Sequence, residues 1–130
     1  MKISTKRGDK GKTDTLSRKR ISKADPEIEF LGSVDELQAW IGMCGSIDVE
    51  PREIIQKELY EIMAGYNVDP WFVTDMDHIG KFVLLSNNEN IARTVCRRAE
   101  RRAVEAECFY AVPYLNRLSD YLYKKSLENG

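Results

Sequence analysis

IARTVCRRAERR, residues 91–102, holds five arginines and one glutamate in twelve positions, yet small apolar residues recur within it. These residues are spaced three or four apart, which is the repeat of an α-helix with one buried side. The predicted buried stripe consists of Ile91, Ala92, Val95, Cys96, Ala99 and Ala103. The stretch therefore predicts a helix that packs against the rest of the chain on one side.

A second face of the same helix is charged. Arg93, Arg97 and Glu100 stand at i, i+4 and i+7, so they fall on one side of the helix. An arginine near a core cannot lose its charge and has to be paired. A solvated basic face is one interpretation of this pattern. The other is that an anionic partner or ligand meets these arginines.

The composition indicates one ordinary globular domain, spanning residues 1–130. The chain is 42% hydrophobic and 32% charged, and no apolar run approaches a membrane span. Its N-terminus is polar, without the apolar core of a signal peptide, so we expect a cytoplasmic protein that does not contact a membrane. Three cysteines without a CxxC pair disfavour a disulfide framework or a zinc site. His78 is the only histidine, which excludes a multi-histidine metal site.

Charge is distributed unevenly along the chain. Residues 1–23 contain nine lysines and arginines against two aspartates, a net charge of +7; because the whole chain carries −1, the other 107 residues sum to −8. A basic head of this kind suits a nucleotide phosphate chain or a nucleic acid. Alternatively, it is a flexible tail that contacts the acidic body.

Residues 4–15, STKRGDKGKTDT, form a glycine-containing loop within this head. Gly8 and Gly11 allow backbone conformations in which successive N–H groups wrap a phosphate. The loop is not a Walker A motif, because the upstream glycine and a preceding apolar strand are missing. A phosphate-binding loop and a disordered tail are both compatible with this stretch.

A first helix is predicted to begin at Ser33, because Ser33 to Glu36 has the S-x-x-E form of a capping box, and to end near Gly45. Asp35 then lies in the first turn, where the helix dipole favours a carboxylate. The functional alternative is that Asp35 pairs with an arginine from elsewhere.

The remaining pattern predicts an all-α, up-down bundle of four substantial helices and one fragment. The further segments are Pro51–Tyr66, a short piece at Trp71–Ile79, the arginine helix from a cap at Asn88 to about Cys108, and Pro113–Leu127. In the last helix the leucines at 115, 118 and 122 face the core, while Asn116 and Asp120 share another face. No strand is predicted.

Four segments, taken in order, carry a family resemblance: TKRGDKGKTDT at 5–15, SVDEL at 33–37, ARTVCRRAER at 92–101 and YLNRLSD at 114–120. Together they resemble the PduO-type ATP:cob(I)alamin adenosyltransferases. The resemblance spans nearly the whole chain and is poor between about Asp48 and Asn90. It implies a helix bundle that forms a homotrimer, with active sites between neighbouring subunits.

The resemblance also implies an activity, namely transfer of the 5′-deoxyadenosyl group of ATP to the cobalt of reduced cobalamin, with release of triphosphate. Asp35, Arg93 and Arg97 would be the catalytic set, with Asp35 paired to Arg93 of the partner subunit. Glu100 would contact Mg²⁺, and Phe82 would lie on the corrinoid side. The implied ATP-binding residues are Thr5, Gly8, Asp9, Gly11, Thr13, Lys23, Arg93, Arg97, Glu100 and Asn116. Other implied partners are a corrinoid reductase and an adenosylcobalamin-dependent enzyme.

The chain departs from the family pattern on the corrinoid side. The segment FVLLSNN at 82–88 replaces the family's F-x-L-P-G-G loop, and the interval before Arg93 is shorter. A non-catalytic ATP-binding trimer is therefore one alternative to the enzyme. A helical nucleic-acid binder, which would use the basic head and the arginine helix, is another. We expect no nucleic-acid binding, because no aromatic residues for base stacking are interleaved with the arginines.

Overall fold

The structure of the protein, a computed structural model, describes residues 12–13, 21–22, 25–72 and 85–129. It contains two short strands, β1 (Lys12–Thr13) and β2 (Ile21–Ser22), and four helices, α1 (Pro26–Ile41), α2 (Val49–Met63), α3 (Asn88–Glu105) and α4 (Val112–Asn129). A 3-10 turn, Phe109–Ala111, joins α3 to α4. The predicted all-α bundle is thereby confirmed. Among the described residues, no helix is long and apolar enough to span a bilayer.

Helix α3 is the centre of the bundle, because it packs against both α1 and α4, while α1 also packs against α2. Its stripe of small residues is fully buried: Ala92, Cys96, Ala99 and Ala103. Small side chains let helix axes approach closely, so α3 can contact two helices at once. Ile91 was predicted to belong to this stripe, but it is 41% exposed; it lies one position outside the arc that faces the two neighbours.

The start of α1 corrects the capping-box prediction. The helix begins seven residues earlier, at Pro26, where Asp25 accepts a hydrogen bond from the Glu27 backbone N–H at 2.9 Å. Proline suits the first helical position, since its missing N–H has no partner there. Ser33 is instead a buried interior residue whose Oγ donates to the Glu29 carbonyl. Asp35 is therefore in the middle of the helix and not in its first turn.

The ends of the other helices differ from prediction by a few residues. Helix α2 is Val49–Met63 where Pro51–Tyr66 was predicted, and α4 is Val112–Asn129 where Pro113–Leu127 was predicted. Asn87, and not Asn88, caps α3 by accepting from the Asn90 N–H at 2.9 Å. The leucines of α4 at 115, 118 and 122 are buried, as predicted.

The strand pair was not predicted. Lys12 pairs with Ser22 and Thr13 with Ile21 in an antiparallel arrangement. Two-residue strands are too short to show an alternating pattern, so the sequence carries no periodic signal for them. The predicted helical fragment at 71–79 falls mostly outside the described residues, and Trp71 and Phe72 themselves are not helical.

An aromatic cluster fixes the chain after α2. Phe72 is buried with its ring centroid 5.1 Å from that of Tyr114 and 5.2 Å from that of Tyr121, both on α4. Glu58 of α2 accepts hydrogen bonds from the Trp71 Nε1–H and from the Tyr114 hydroxyl. Burial raises the pKa of the Glu58 carboxyl above its usual range. This carboxyl thus joins three segments of the chain.

The end of α3 carries a left-handed residue. Glu107 has φ +58°, and the Cys108 N–H bonds back to the Ala103 carbonyl at 2.8 Å, while the Glu107 N–H bonds to Val104. This is a Schellman motif, and glycine is the usual residue at the position of Glu107. It ends α3 at Glu105, three residues before the predicted end at Cys108.

We expect Glu107→Gly to raise the free energy of unfolding by about 1 kcal/mol, because the left-handed conformation costs an L-residue about 1–2 kcal/mol and glycine recovers part of this. Urea unfolding measures the change. Glu107→Ala removes the same charge but keeps the Cβ, so it should give no such gain. Equal stability of the glycine and alanine variants would contradict the assignment.

Candidate active site

The register between α3 and α4 sets the position of the arginines. The Cys96 Sγ–H donates to the Leu115 carbonyl of α4 at 3.1 Å, and Cys96 is fully buried. Burial raises the pKa of this thiol far above its usual range, so the group stays protonated and keeps donating. Arg93 and Arg97 flank Cys96 along the helix and emerge at the edge where α3 meets α4.

A small cleft lies at this edge, with a volume of about 70 Å³. Arg93 and Arg97 of α3 form one wall, and Ser119, Asp120 and Tyr123 of α4 form the other. Ser119 and Asp120 stand four and three positions before Tyr123, so both neighbour it on one side of that helix. The cleft therefore combines two guanidinium groups with two hydroxyls and one carboxylate.

A wider groove of about 400 Å³ runs along the outer face of α3. Its lining is Arg97, Glu100, Arg101, Val104 and Glu105. Arg97 belongs to both hollows, so its side chain lies between the cleft and the groove. Glu100, predicted to share a face with Arg97, lies in the groove and is partly buried.

The five arginines of α3 differ in whether the chain already pairs them. Arg98 forms an ion pair with Glu36 of α1, and Arg102 forms one with Glu105 at 3.0 Å. The Arg93 Nε–H donates to the Asn90 side-chain oxygen at 2.9 Å. The guanidinium groups of Arg98 and Arg102 are thus held by carboxylates, while the terminal nitrogens of Arg93 have no partner among the described residues.

Arg97 and Arg101 are different. Within the described parts of the chain, neither forms an ion pair or a side-chain hydrogen bond. A guanidinium group carries five donors and binds carboxylate or phosphate oxygens two at a time. The charge available to an anionic ligand is therefore concentrated on Arg97 and Arg101, with Arg93 beside them.

Two other predicted residues lie outside both hollows. Asp35 is exposed on α1 and accepts from the Gln38 side chain at 3.4 Å, without contact to Arg93 of the same chain. Asn116 is exposed on α4, and its backbone carbonyl accepts from Ser119 Oγ at 2.7 Å. Their proposed roles need a neighbouring subunit or a ligand.

Several predicted residues fall outside the described part of the chain: Thr5, Gly8, Asp9, Gly11, Lys23 and Phe82. The backbone of Thr13 lies in β1, paired with Ile21. Sequence reasoning placed Asp120 on the face of Asn116 but did not name Ser119 or Tyr123 as site residues. Their spacing around Asp120 on α4 is the signal that could have identified them.

Comparisons with known proteins agree on one family. The family model for cobalamin adenosyltransferases matches residues 3–78 and 75–127. The chain is 32% identical over 155 residues to a cobalamin adenosyltransferase of Cupriavidus metallidurans, covering 94% of this chain and 84% of that one. It is 30% identical over 161 residues to the corrinoid adenosyltransferase PduO of Salmonella typhimurium, covering 95% of this chain but only about half, 48%, of that protein.

A solved structure gives the same answer for the fold. It is a phenylalanine-to-alanine variant of a PduO-type ATP:corrinoid adenosyltransferase from Lactobacillus reuteri, complexed with cobalamin and ATP. The TM-score is 0.79 at 26% identity, covering 96% of this chain and 91% of that one. The structure is thus an all-α bundle whose central helix carries arginines that have no ion-pair partner in the described part of the chain. The chain belongs to the cobalamin adenosyltransferase family.

We expect Arg97→Gln to weaken binding of inorganic tripolyphosphate at least about tenfold, because a charge-assisted bidentate contact is lost. Titration calorimetry measures the dissociation constant. Arg98→Gln is the matched control, since Arg98 lies on the same helix, is already paired with Glu36 and lines neither the cleft nor the groove. Equal losses in the two variants would mean that binding reports only the total charge of α3.

Proposed function

We propose that this protein transfers the 5′-deoxyadenosyl group of ATP to the cobalt of a reduced corrinoid, cob(I)alamin, and releases triphosphate. The observation that carries the proposal is Arg97, which lies between the cleft and the groove and has no partner within the described residues. Membership of the cobalamin adenosyltransferase family supports the same reaction.

The reaction needs no nucleophile from the protein. Co(I) attacks the C5′ carbon of ATP, a cobalt–carbon bond forms, the C5′–oxygen bond breaks, and its electron pair leaves with triphosphate. The buried cysteines fit this scheme, because burial raises the pKa of the Cys44 thiol to about 12 and that of Cys96 further. Both thiols stay protonated at neutral pH and do not compete with cobalt.

The arginines act on the leaving group. Negative charge grows on the triphosphate as the bond breaks, and preorganised cations at that position lower the barrier. Arg97 and Arg93 would bind phosphate oxygens from the α3 side of the cleft. Because both are on one helix that packs closely against α4, the edge at which they leave the backbone is set before ATP binds. Holding C5′ within about 3–3.5 Å of the cobalt would be the second source of rate enhancement.

Glu100 is the carboxylate that suits Mg²⁺. This ion commonly uses one or two protein carboxylates together with phosphate oxygens and water. Glu100 lies in the groove next to Arg97, while no group of three or more metal-ligating side chains occurs among the described residues. The phosphates and water would thus complete the ligand set, and the bound ion would supply positive charge to the triphosphate.

The remaining contacts would come from other parts of the assembly. Asp35 is exposed and would pair with Arg93 of the partner subunit in a homotrimer. The loop residues Thr5 to Thr13, together with Lys23 and Asn116, would hold ATP, and Phe82 would approach the corrinoid. A cytoplasmic corrinoid reductase would supply Co(I), and an adenosylcobalamin-dependent enzyme would take the product.

An anaerobic assay with chemically reduced cobalamin and Mg·ATP tests the activity through the absorbance change from Co(I) to adenosylcobalamin. We expect turnover by the natural protein and a loss of about 10²-fold in Arg97→Lys, because a lysine cannot reproduce the bidentate contact. Arg98→Lys should keep near-normal activity, because its lysine can still pair with Glu36 and lies outside both hollows. Binding of Mg·ATP without product would identify the non-catalytic alternative.

A second test concerns the subunit interface. We expect Arg93→Ala to abolish turnover and also to shift the trimer towards monomer in sedimentation analysis, because Arg93 would serve both the site and the partner's Asp35. Asp35→Asn should weaken the trimer in the same direction. An Arg93→Ala protein that remains as trimeric as the natural one would contradict the interface role while leaving the phosphate role intact.

A further inference from the structure

The cleft between α3 and α4 contains a carboxylate where an anion is proposed to bind. Asp120 lines it together with Arg93 and Arg97. Its carboxylate does not pair with either of them among the described contacts; it accepts instead from Arg117, with Nη1 at 3.3 Å from Oδ2. Arg117 is on the same helix, one turn earlier, and does not line the cleft.

We propose that Arg117 is a positioning residue of the phosphate site: it holds the Asp120 carboxylate away from Arg93 and Arg97, and so keeps both guanidinium groups available to triphosphate. The inference rests on the proposed function of these arginines. The Arg117–Asp120 pair thus serves phosphate binding and not the stability of the fold.

The exposure of the pair supports this assignment. The two side chains are 53% and 41% exposed, and exposed i, i+3 ion pairs contribute little to folding. A carboxylate released into a cleft of about 70 Å³ is, however, a tethered competitor for the same guanidinium groups. Tethering gives such a competitor a high effective concentration, so an intramolecular pair forms at the expense of a ligand in solution.

The other cleft residues of α4 cannot act in this way. Ser119 is uncharged, and its hydroxyl already donates to the Asn116 carbonyl. Tyr123 contributes a phenol hydroxyl and no carboxylate. Asp120 is therefore the cleft group on α4 that can compete with phosphate, and Arg117 is the cation that engages it.

A double-mutant cycle tests the proposal. The dissociation constants of inorganic tripolyphosphate and Mg·ATP are measured by calorimetry for the natural protein, Arg117→Ala, Asp120→Asn and the double variant. We expect Arg117→Ala to weaken binding about threefold when Asp120 is present, since an exposed ion pair shifts an equilibrium only a few-fold, and to leave it nearly unchanged in the Asp120→Asn background. At saturating ATP, kcat of Arg117→Ala should stay near normal while KM for ATP rises.

Lys125→Ala is the matched control, because Lys125 forms an i, i+3 pair with Glu128 on the same helix and lines neither hollow. It reports the effect of losing one positive charge. An equal loss from Arg117→Ala in both Asp120 backgrounds, or one no larger than in Lys125→Ala, would overturn the positioning role. Failure of the natural protein itself to bind tripolyphosphate and Mg·ATP would instead overturn the proposed function.

Discussion

The close packing of α3 is the constraint on which the structure depends. Its buried stripe is mostly alanine and cysteine, with Val95 as the larger apolar member, so the helix can contact α1 on one side and α4 on the other. A larger residue in this stripe would have to push a neighbour away, at a typical cost of about 1–3 kcal/mol. Because the stripe fixes the rotation of α3, it also decides at which edge each arginine emerges.

This rotation separates four of the arginines into two groups, which differ in whether a carboxylate of the chain pairs with them. Arg98 and Arg102 emerge toward α1; Arg98 pairs there with Glu36, and Arg102 pairs with Glu105 of its own helix. Arg93 and Arg97 emerge toward α4, where the nearby carboxylate, Asp120, is engaged by another cation. Concentrating unpaired like charges on one helix face is unfavourable for folding. Their persistence is understandable if an anionic ligand neutralises them, because the ligand then stabilises the folded state that binds it.

The helical pattern could be taken from the sequence because burial imposes its period; the leucines of α4 and the stripe of α3 are examples. The start of α1 could not be predicted in this way. Ser33 and Glu36 have the form of a capping box, but they lie inside a helix that begins at Pro26 with Asp25 as its cap. The sequence also could not predict which carboxylate pairs with which arginine. Arg98 and Glu36 are 62 positions apart, and nothing local distinguishes Arg98 from Arg97. The resemblance named Arg93, Arg97 and Glu100 as site residues, but the contacts between helices supply the reason for selecting Arg97 over Arg98.

A nucleophilic metal centre as substrate changes what an active site must contain. The protein has only to hold ATP and the corrinoid in line and to stabilise triphosphate, which asks for rigid cations and not for a general base. The bundle meets part of that demand through the close packing of α3 against α4, to which the Cys96 thiol, protonated at neutral pH because burial raises its pKa, adds a hydrogen bond to the Leu115 carbonyl. Cysteine is thus used here as a small donor that fixes register, while arginine is used as the charge whose position that register sets. The buried residues of α3, which take no part in the reaction, therefore determine the edge of the bundle at which the arginines emerge.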